Sequence, residues 1–347
     1  MQRIKDFIWP VIGLIAVVLS VDALYGKLYQ EAASHPEVAA QLAAAGWWDS
    51  LKIIASVIGG KLAAIPLHGY VLALMSTLAA YAALAWYDRI ALLHLNREKG
   101  ISWLFVALCS FTTYALSHNI GASVVSGGAV RYRAYTSKGL SAAEVAVLVA
   151  LCSFTFAYGT MILTGIVLVG EPEILRPLLA KTAHAAADLM TIRIIGAVLL
   201  ILCALYLLGS WMQFKPLTIR GFRLEYPRLP VVLRQLVAAP LELIGAAGII
   251  YFAIPEAVNP GFFVVLGAFL LSFSAGLLAQ VPGGVGVMEA VFIAVMPNVP
   301  ASSVFAALLV WRLLYLIIPL ALAIPIILLF EEKKLEEAVH HKKGHED

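Results

Sequence analysis

Charge is what this chain has least of. Asp, Glu, Lys and Arg make up 13% of its 347 residues, while 62% are hydrophobic; an ordinary soluble domain carries about 25% charged residues. A soluble protein with an oversized core is excluded, because runs such as 7–25 and 192–210 leave too few polar residues to cover a surface. Cysteine is scarce as well. Cys109, Cys152 and Cys203 fall inside apolar runs without CxxC spacing, so they read as small buried hydrophobes rather than as a disulfide framework. No GxxxxGK[ST], HExxH or GxSxG string occurs, so neither an ATP-driven pump core nor these hydrolytic sites is visible. The longest polar stretches run to about 25 residues, short of a catalytic domain of about 50 or more.

What is present is a succession of apolar spans near 7–25, 65–87, 101–118, 141–169, 192–210, 232–254, 261–281 and 303–330. Most are long enough to cross a hydrocarbon layer of about 30 Å. The expected fold is therefore an all-α integral membrane protein, a polytopic helical bundle with one transmembrane domain over 1–330 and a charged cytoplasmic tail over 331–347. Arg3 and Lys5 precede the first run, which lacks a small-x-small cleavage site and so reads as an uncleaved first helix. The stretch 51–67, with Lys52, Lys61 and Gly59-Gly60, reads as interfacial or broken at the glycines. His340, His341 and His345 read as part of a disordered tail rather than as metal ligands.

A net charge of +3 says little about partners, because placement outweighs the sum in a membrane protein; nothing points to nucleic acid. Lys and Arg in short loops place Arg3 and Lys5 inside, together with Arg89, Arg97 and Lys99, and with Lys215, Arg220, Arg223, Arg228 and Arg234. The segment 26–50, with Lys27 against Glu31, Glu37 and Asp49, belongs outside. Both termini are then cytoplasmic in the cell membrane. Arg131, Arg133 and Lys138 also favour the inside, yet one span (101–118) separates them from the inside loop at 88–99. The conflict disappears if 101–130 dips into the membrane and returns, turning at His118-Asn119-Ile120-Gly121. The same reasoning makes 261–297 enter from outside and return, turning at Gln280-Val281-Pro282-Gly283-Gly284. Placing Ser110-Phe111 over Ser272-Phe273 also aligns Leu108 with Leu270, Leu116 with Leu278 and Gly121 with Gly283. Two re-entrant broken-helix hairpins related as an inverted repeat, with halves of about 65–170 and 232–330, follow from this.

Three sets of residues could carry function. Gly127 and Gly128 could form an anion-binding nest beside Arg131 and Arg133, whose planar forks suit phosphate, with Tyr132 and Tyr135 at a headgroup interface and His118 and Asn119 as polar ligands. The simpler reading is that the arginines anchor a helix end. Gly283 and Gly284 allow a tight turn before Glu289, an acid inside an apolar segment, for which Arg312 is the expected partner; this pair reads more readily as structural than as substrate-binding, and with Glu242 it could hold or gate a cavity. Glu242 is a second isolated intramembrane acid, open as to role. Asp88 reads as a boundary charge paired with Arg89. Gly196 and Gly245 suit close helix packing, within one chain or in a homo-oligomer.

From Ser117-His118-Asn119-Ile120-Gly121 through Ser126-Gly127-Gly128-Ala129-Val130-Arg131-Tyr132-Arg133-Ala134-Tyr135 to Gly139-Leu140-Ser141, the chain resembles the transmembrane region of the lysylphosphatidylglycerol synthase/flippase family (multiple peptide resistance factor). Tyr87-Asp88, Pro282-Gly283-Gly284-Val285-Gly286 with Glu289, and Arg312 fit the same pattern. The resemblance covers nearly the whole chain. It implies a lipid-translocating helical domain with re-entrant helices around a cavity, acting on a phospholipid such as (aminoacyl-)phosphatidylglycerol. The family's soluble aminoacyl-transferase domain has no counterpart here, so synthase activity is not expected, and neither a cofactor nor a metal is implied. Two rivals stand beside a flippase: a membrane-embedded lipid-modifying enzyme, and a non-transporting partner of a separate lipid synthase.

Overall fold

The computed structural model describes residues 25–343 apart from 27, 31, 35, 121–122, 180–188, 214–216, 220–221 and 225–226; the side chains at 36, 120, 123–126, 178–179, 217–219, 222–224, 282 and 331–343 are also outside the description. The first apolar run, Arg3, Lys5, Lys27, Glu31, Gly121, Lys215, Arg220 and Glu225 thus lie outside the described residues, as do His345 and the side chains of Arg223, His340 and His341.

The protein is an all-α polytopic membrane protein. Its helices are α1 (Pro36–Ala44), α2 (Trp47–Ala63), α3 (Leu67–His94), α4 (Trp103–Ile120), α5 (Ser123–Thr136), α6 (Ala142–Gly170), α7 (Leu189–Trp211), α8 (Leu229–Ala253), α9 (Phe262–Leu278), α10 (Val287–Val295), α11 (Ala301–Trp311) and α12 (Ile318–Lys343). A π-helical segment, Arg312–Ile317, links the last two. Five segments among the described residues are long and apolar enough to cross a bilayer: α3, α6, α7, α8 and the run Ala301–Phe330. Their outward faces remain apolar. On α7, Met190, Ile194, Ile195, Val198, Ile201, Leu202 and Leu205 are all exposed, which only a hydrocarbon solvent makes favourable.

Local chemistry sets the helix ends. Ser141 accepts a hydrogen bond from the Glu144 N–H at 3.2 Å while Glu144 accepts one from the Ser141 N–H at 2.8 Å, a reciprocal cap that starts α6. The Gly59-Gly60 pair does not break α2, which continues to Ala63; the chain turns instead before Pro66, which precedes α3 and forces extended backbone on its neighbour. The tail also departs from expectation. Rather than being disordered, it continues α12 to Lys343, where Glu, Lys, Leu and Ala are strong helix formers. The basic loop after α7 holds a small hairpin, β1 (Leu217–Ile219) antiparallel to β2 (Phe222–Leu224), which apolar periodicity did not anticipate.

The centre is the crossing of α3 with α8. The two run antiparallel: Gly69 abuts the Phe252 carbonyl, Gly245 and Gly248 abut Ser76, and the Tyr87 hydroxyl donates to the Ala239 carbonyl at 3.2 Å. A Cβ on Gly245 would come within 2.9 Å of the Ser76 carbonyl oxygen, so glycine sets the interhelix distance. Gly196 does the same against Gly165, where a Cβ would lie 2.8 Å from the carbonyl oxygen. Both small-residue positions are consumed by packing within one chain.

Ion pairs and hydrogen bonds show which loops share an end. Arg97, after α3, pairs with Glu144, at the start of α6, at 2.6 Å. Arg228, before α8, donates to the Leu93 carbonyl at 2.9 Å and to Asn96 Oδ1 at 2.6 Å. The basic loops thus gather at one end, and the α4–α5 pair leaves and returns to it. His68 at the start of α3 faces Glu256 after α8 at 3.8 Å, marking the opposite end, from which α9 departs. The paired helices are short. At about 1.5 Å per residue, the 14 residues of α5 and the 9 of α10 are shorter than a hydrocarbon layer of about 30 Å.

Candidate functional site

Arg131, on α5, is buried together with Asp88 of α3. Its Nη2 donates to Asp88 Oδ1 at 2.6 Å, and its Nε lies 3.1 and 3.2 Å from the two carboxylate oxygens. Asp88 Oδ2 also accepts the Tyr135 hydroxyl at 2.9 Å, and Oδ1 the Cys152 thiol at 3.4 Å. Both oxygens are therefore satisfied, as a carboxylate removed from water requires. The guanidinium lies 4.9 Å above the Tyr114 ring centroid, a cation–π contact that favours the charged form in a dry setting. None of these bonds to Asp88 uses Nη1, which lies on the Gly127 side, 3.6 Å from where a Cβ there would sit.

The second hairpin is held differently. Gly283, Gly284 and Gly286 have φ of 59°, 63° and 79°, conformations costly for side chains bearing a Cβ. Glu289 Oε2 accepts the Gly286 N–H at 2.8 Å, and Oε1 accepts Arg312 Nε at 2.7 Å. Arg312 Nη2 lies 2.5 Å from the same Oε1, in ion-pair contact without hydrogen-bond alignment. Arg312 Nη1 donates to the Gly283 carbonyl at 2.8 Å. One ion pair thus fixes both sides of the turn.

Between the two hairpins lies a cavity of about 560 Å³. Tyr114, Ser117, His118 and Arg131 line it from one hairpin, and Phe273, Gly276, Gln280, Gly283, Gly284 and Met288 from the other; Ser153 and Phe156 of α6, with Trp311 and Leu316, close it. Arg131 is its single charged residue among the described residues, and no acid lines it. The cavity is only partly enclosed, and Ser153, Leu277 and Gln280 among its lining residues are exposed.

Behind one wall the π-helical segment leaves carbonyls outside the usual ladder. The Tyr81 hydroxyl donates to the Tyr315 carbonyl at 3.0 Å, and Asn119 Nδ2 to the Leu316 carbonyl at 3.1 Å. Tyr315 stacks on His118, centroids 5.4 Å apart, and donates its hydroxyl to Glu242 Oε1 at 2.5 Å.

Several expectations change in this light. Asp88 pairs with Arg131 rather than Arg89, whose Nη1 donates to the Ile101 carbonyl at 2.9 Å: neighbours on one helix point apart, and α5 brings Arg131 to the buried side. Gly127 and Gly128 form no nest, since both lie inside α5 and neither has positive φ; Gly127 instead lets α5 approach Thr113. Arg133 and Tyr132 are exposed and do not line the cavity, Tyr135 is buried against Asp88, and Asn119 ties α4 to the π-helical segment. His118, Arg131, Gly283 and Gly284 line the cavity; Glu289, Arg312, Glu242 and Asp88 stand behind its walls. Sequence reasoning passed over Tyr114, Ser153, Phe273, Trp311 and Tyr315. They carry no motif, and only the packing of five separate segments brings them together.

Fold and site together define a multi-pass membrane protein with a hollow between two helical hairpins. No protein-family model matches the chain. It is 30% identical over 328 residues to the "Uncharacterized protein slr0712" of Synechocystis sp., covering 93% of this chain and 91% of that one. It is 32% identical over 258 residues to the "Inner membrane protein YbhN" of Escherichia coli, covering 73% of this chain and 77% of the relative. The chain belongs to the family of these membrane proteins.

Proposed function

We propose that the protein moves a membrane lipid between leaflets, with the phosphate of the headgroup meeting Arg131 in the central cavity. The observation that carries this is the cavity itself. It is large enough for a headgroup, walled by two short hairpins, only partly enclosed, and lined among its described residues by a single charged group. A phosphate would engage Nη1 of Arg131 while Asp88 holds the rest of the fork, with Tyr114, Ser117 and His118 as further polar contacts. The apolar outer faces of the helices would leave the acyl chains in the bilayer. On this reading the α4–α5 and α9–α10 pairs are re-entrant hairpins entering from opposite faces, and the antiparallel α3 and α8 begin the two halves of an inverted repeat. Loop charge favours a cytoplasmic side for that end and, through Arg3 and Lys5 in the sequence, for the termini, with the protein in the cell membrane.

The resemblance to the flippase region of the lysylphosphatidylglycerol synthase family supports the same activity and makes a phosphatidylglycerol-type lipid the first to test. No bond-making chemistry is assigned to the chain; a separate lipid synthase would supply its substrate. In vesicles of phosphatidylethanolamine and phosphatidylglycerol, the purified protein is expected to speed dithionite quenching of fluorescently labelled phosphatidylglycerol in the inner leaflet. Arg131→Lys, which keeps the charge but loses the fork, is expected to slow it. Failure to accelerate any labelled phospholipid would overturn the reading.

A further inference from the structure

Glu242 is the one buried acid among the described residues that lacks a cation. Asp88 has Arg131 and Glu289 has Arg312, but Glu242, 2% exposed on α8, has only the Tyr315 hydroxyl on Oε1. Its Oε2 is buried with no hydrogen-bond partner. The titratable groups that face it are Tyr315 from the π-helical segment and Tyr81 and Tyr87 from α3. The other helices packed on α8 present none among the described residues. An acid in this setting within a membrane span marks a proton or ion site more often than a structural one. A metal cation would need several ligands around it, and no cluster of three or more His, Cys, Asp or Glu side chains occurs among the described residues.

The position adds a second observation. Tyr315 bridges Glu242 and His118, touching the first through its hydroxyl and the second through its ring. His118 lines the cavity, and its Nδ1 is likewise buried without a partner, as is Nε1 of Trp311, another lining residue. Tyr315 thus joins the buried carboxyl group to a residue of the cavity wall.

We propose that Glu242 is a proton-binding site that couples substrate movement in the adjacent cavity to a proton gradient. One proton adds to Oε2 from water and later leaves as a proton; no other bond changes. Loading removes the charge behind Tyr315, and release restores it, so the wall formed by Tyr315 and His118 has two electrostatic states. The coupling rests on the lipid-transport reading above, whereas the proton site does not.

The two are tested separately. Infrared difference spectra of the full chain in nanodiscs, taken across a pH step, are expected to show a carboxyl C=O band that is missing in Glu242→Gln and shifted in Tyr315→Phe, which removes its hydrogen bond. A band absent from the wild type, or unchanged in Glu242→Gln, would overturn the proton site. In vesicles, a pH gradient is expected to change the rate of labelled phosphatidylglycerol movement by roughly fivefold or more, and Glu242→Gln to lose that response. A gradient response that persists in Glu242→Gln, or one to sodium in place of protons, would overturn the coupling. If the band behaves as expected but no labelled lipid moves, the proton site stands and the lipid reading falls.

Discussion

The two hairpins line the same cavity but are secured in opposite ways. The α4–α5 pair is held from outside. Arg131 reaches Asp88 on α3, and Asn119 reaches the π-helical segment. The turn between α9 and α10 is held by its own acid, since Glu289 binds Gly286 and Arg312 clasps Glu289 and the Gly283 carbonyl together. In the first, the arginine faces the cavity and the acid lies behind it; in the second, the arginine is spent on the turn and does not line the cavity. Two pairs of the same composition therefore do different work. One presents a charge, and the other shapes a loop.

Breaking the first pair should have the largest effect. Asp88→Ala leaves the Arg131 guanidinium buried without a counter-charge, and losing one partner of a buried pair costs about 3–5 kcal/mol. Removing both, as in Asp88→Asn with Arg131→Gln, should cost less than Asp88→Ala alone, because no lone charge remains. Thermal unfolding in detergent would check this order; equal losses in the single and double variants would mean that the pair is not held dry.

How far the sequence foretold this arrangement depends on the kind of signal. Membrane class and most spans follow from apolar run length, and the Glu289–Arg312 pair from the rarity of charge within such runs. The gathering of Arg97, Lys138 and Arg228 near one end follows from loop charge. Asp88 was misassigned because adjacency along the chain said nothing about which side of α3 it occupies. The nest at Gly127-Gly128 failed because a Gly-Gly pair next to arginine is compatible with both a turn and a helix, and here α5 runs through it. The wall of Tyr315, Trp311 and Tyr114 was out of reach, because aromatic residues in apolar helices look alike until packing selects among them.

A smaller effect should follow from Arg312→Lys. A single ammonium cannot occupy the positions of both Nε, 2.7 Å from Glu289, and Nη1, 2.8 Å from the Gly283 carbonyl. One of the two bonds is lost, at a cost of about 1–3 kcal/mol for the group left unpaired. Because Arg312 does not line the cavity, the loss should appear as a lower melting temperature rather than as altered headgroup preference. A shift in lipid preference with unchanged stability would make the second pair a recognition element like the first.

The smallest effects separate the glycines of the two hairpins. Gly286 has φ 79° and ψ −51°, and a non-glycine residue held in such a sparsely populated region costs about 1–3 kcal/mol. Gly286→Ala should lower stability by that amount. Gly128 lies inside α5 with nothing within 4 Å of where a Cβ would sit, and alanine exceeds glycine in helix propensity by about 0.8–1 kcal/mol. Gly128→Ala should therefore be neutral or slightly stabilising, a change of opposite sign from a substitution of the same chemistry. Melting curves of the two variants side by side decide the matter. A destabilised Gly128→Ala would return the first hairpin to a backbone-binding role, because only a conformation closed to alanine, or a ligand seated against the bare backbone, could account for it.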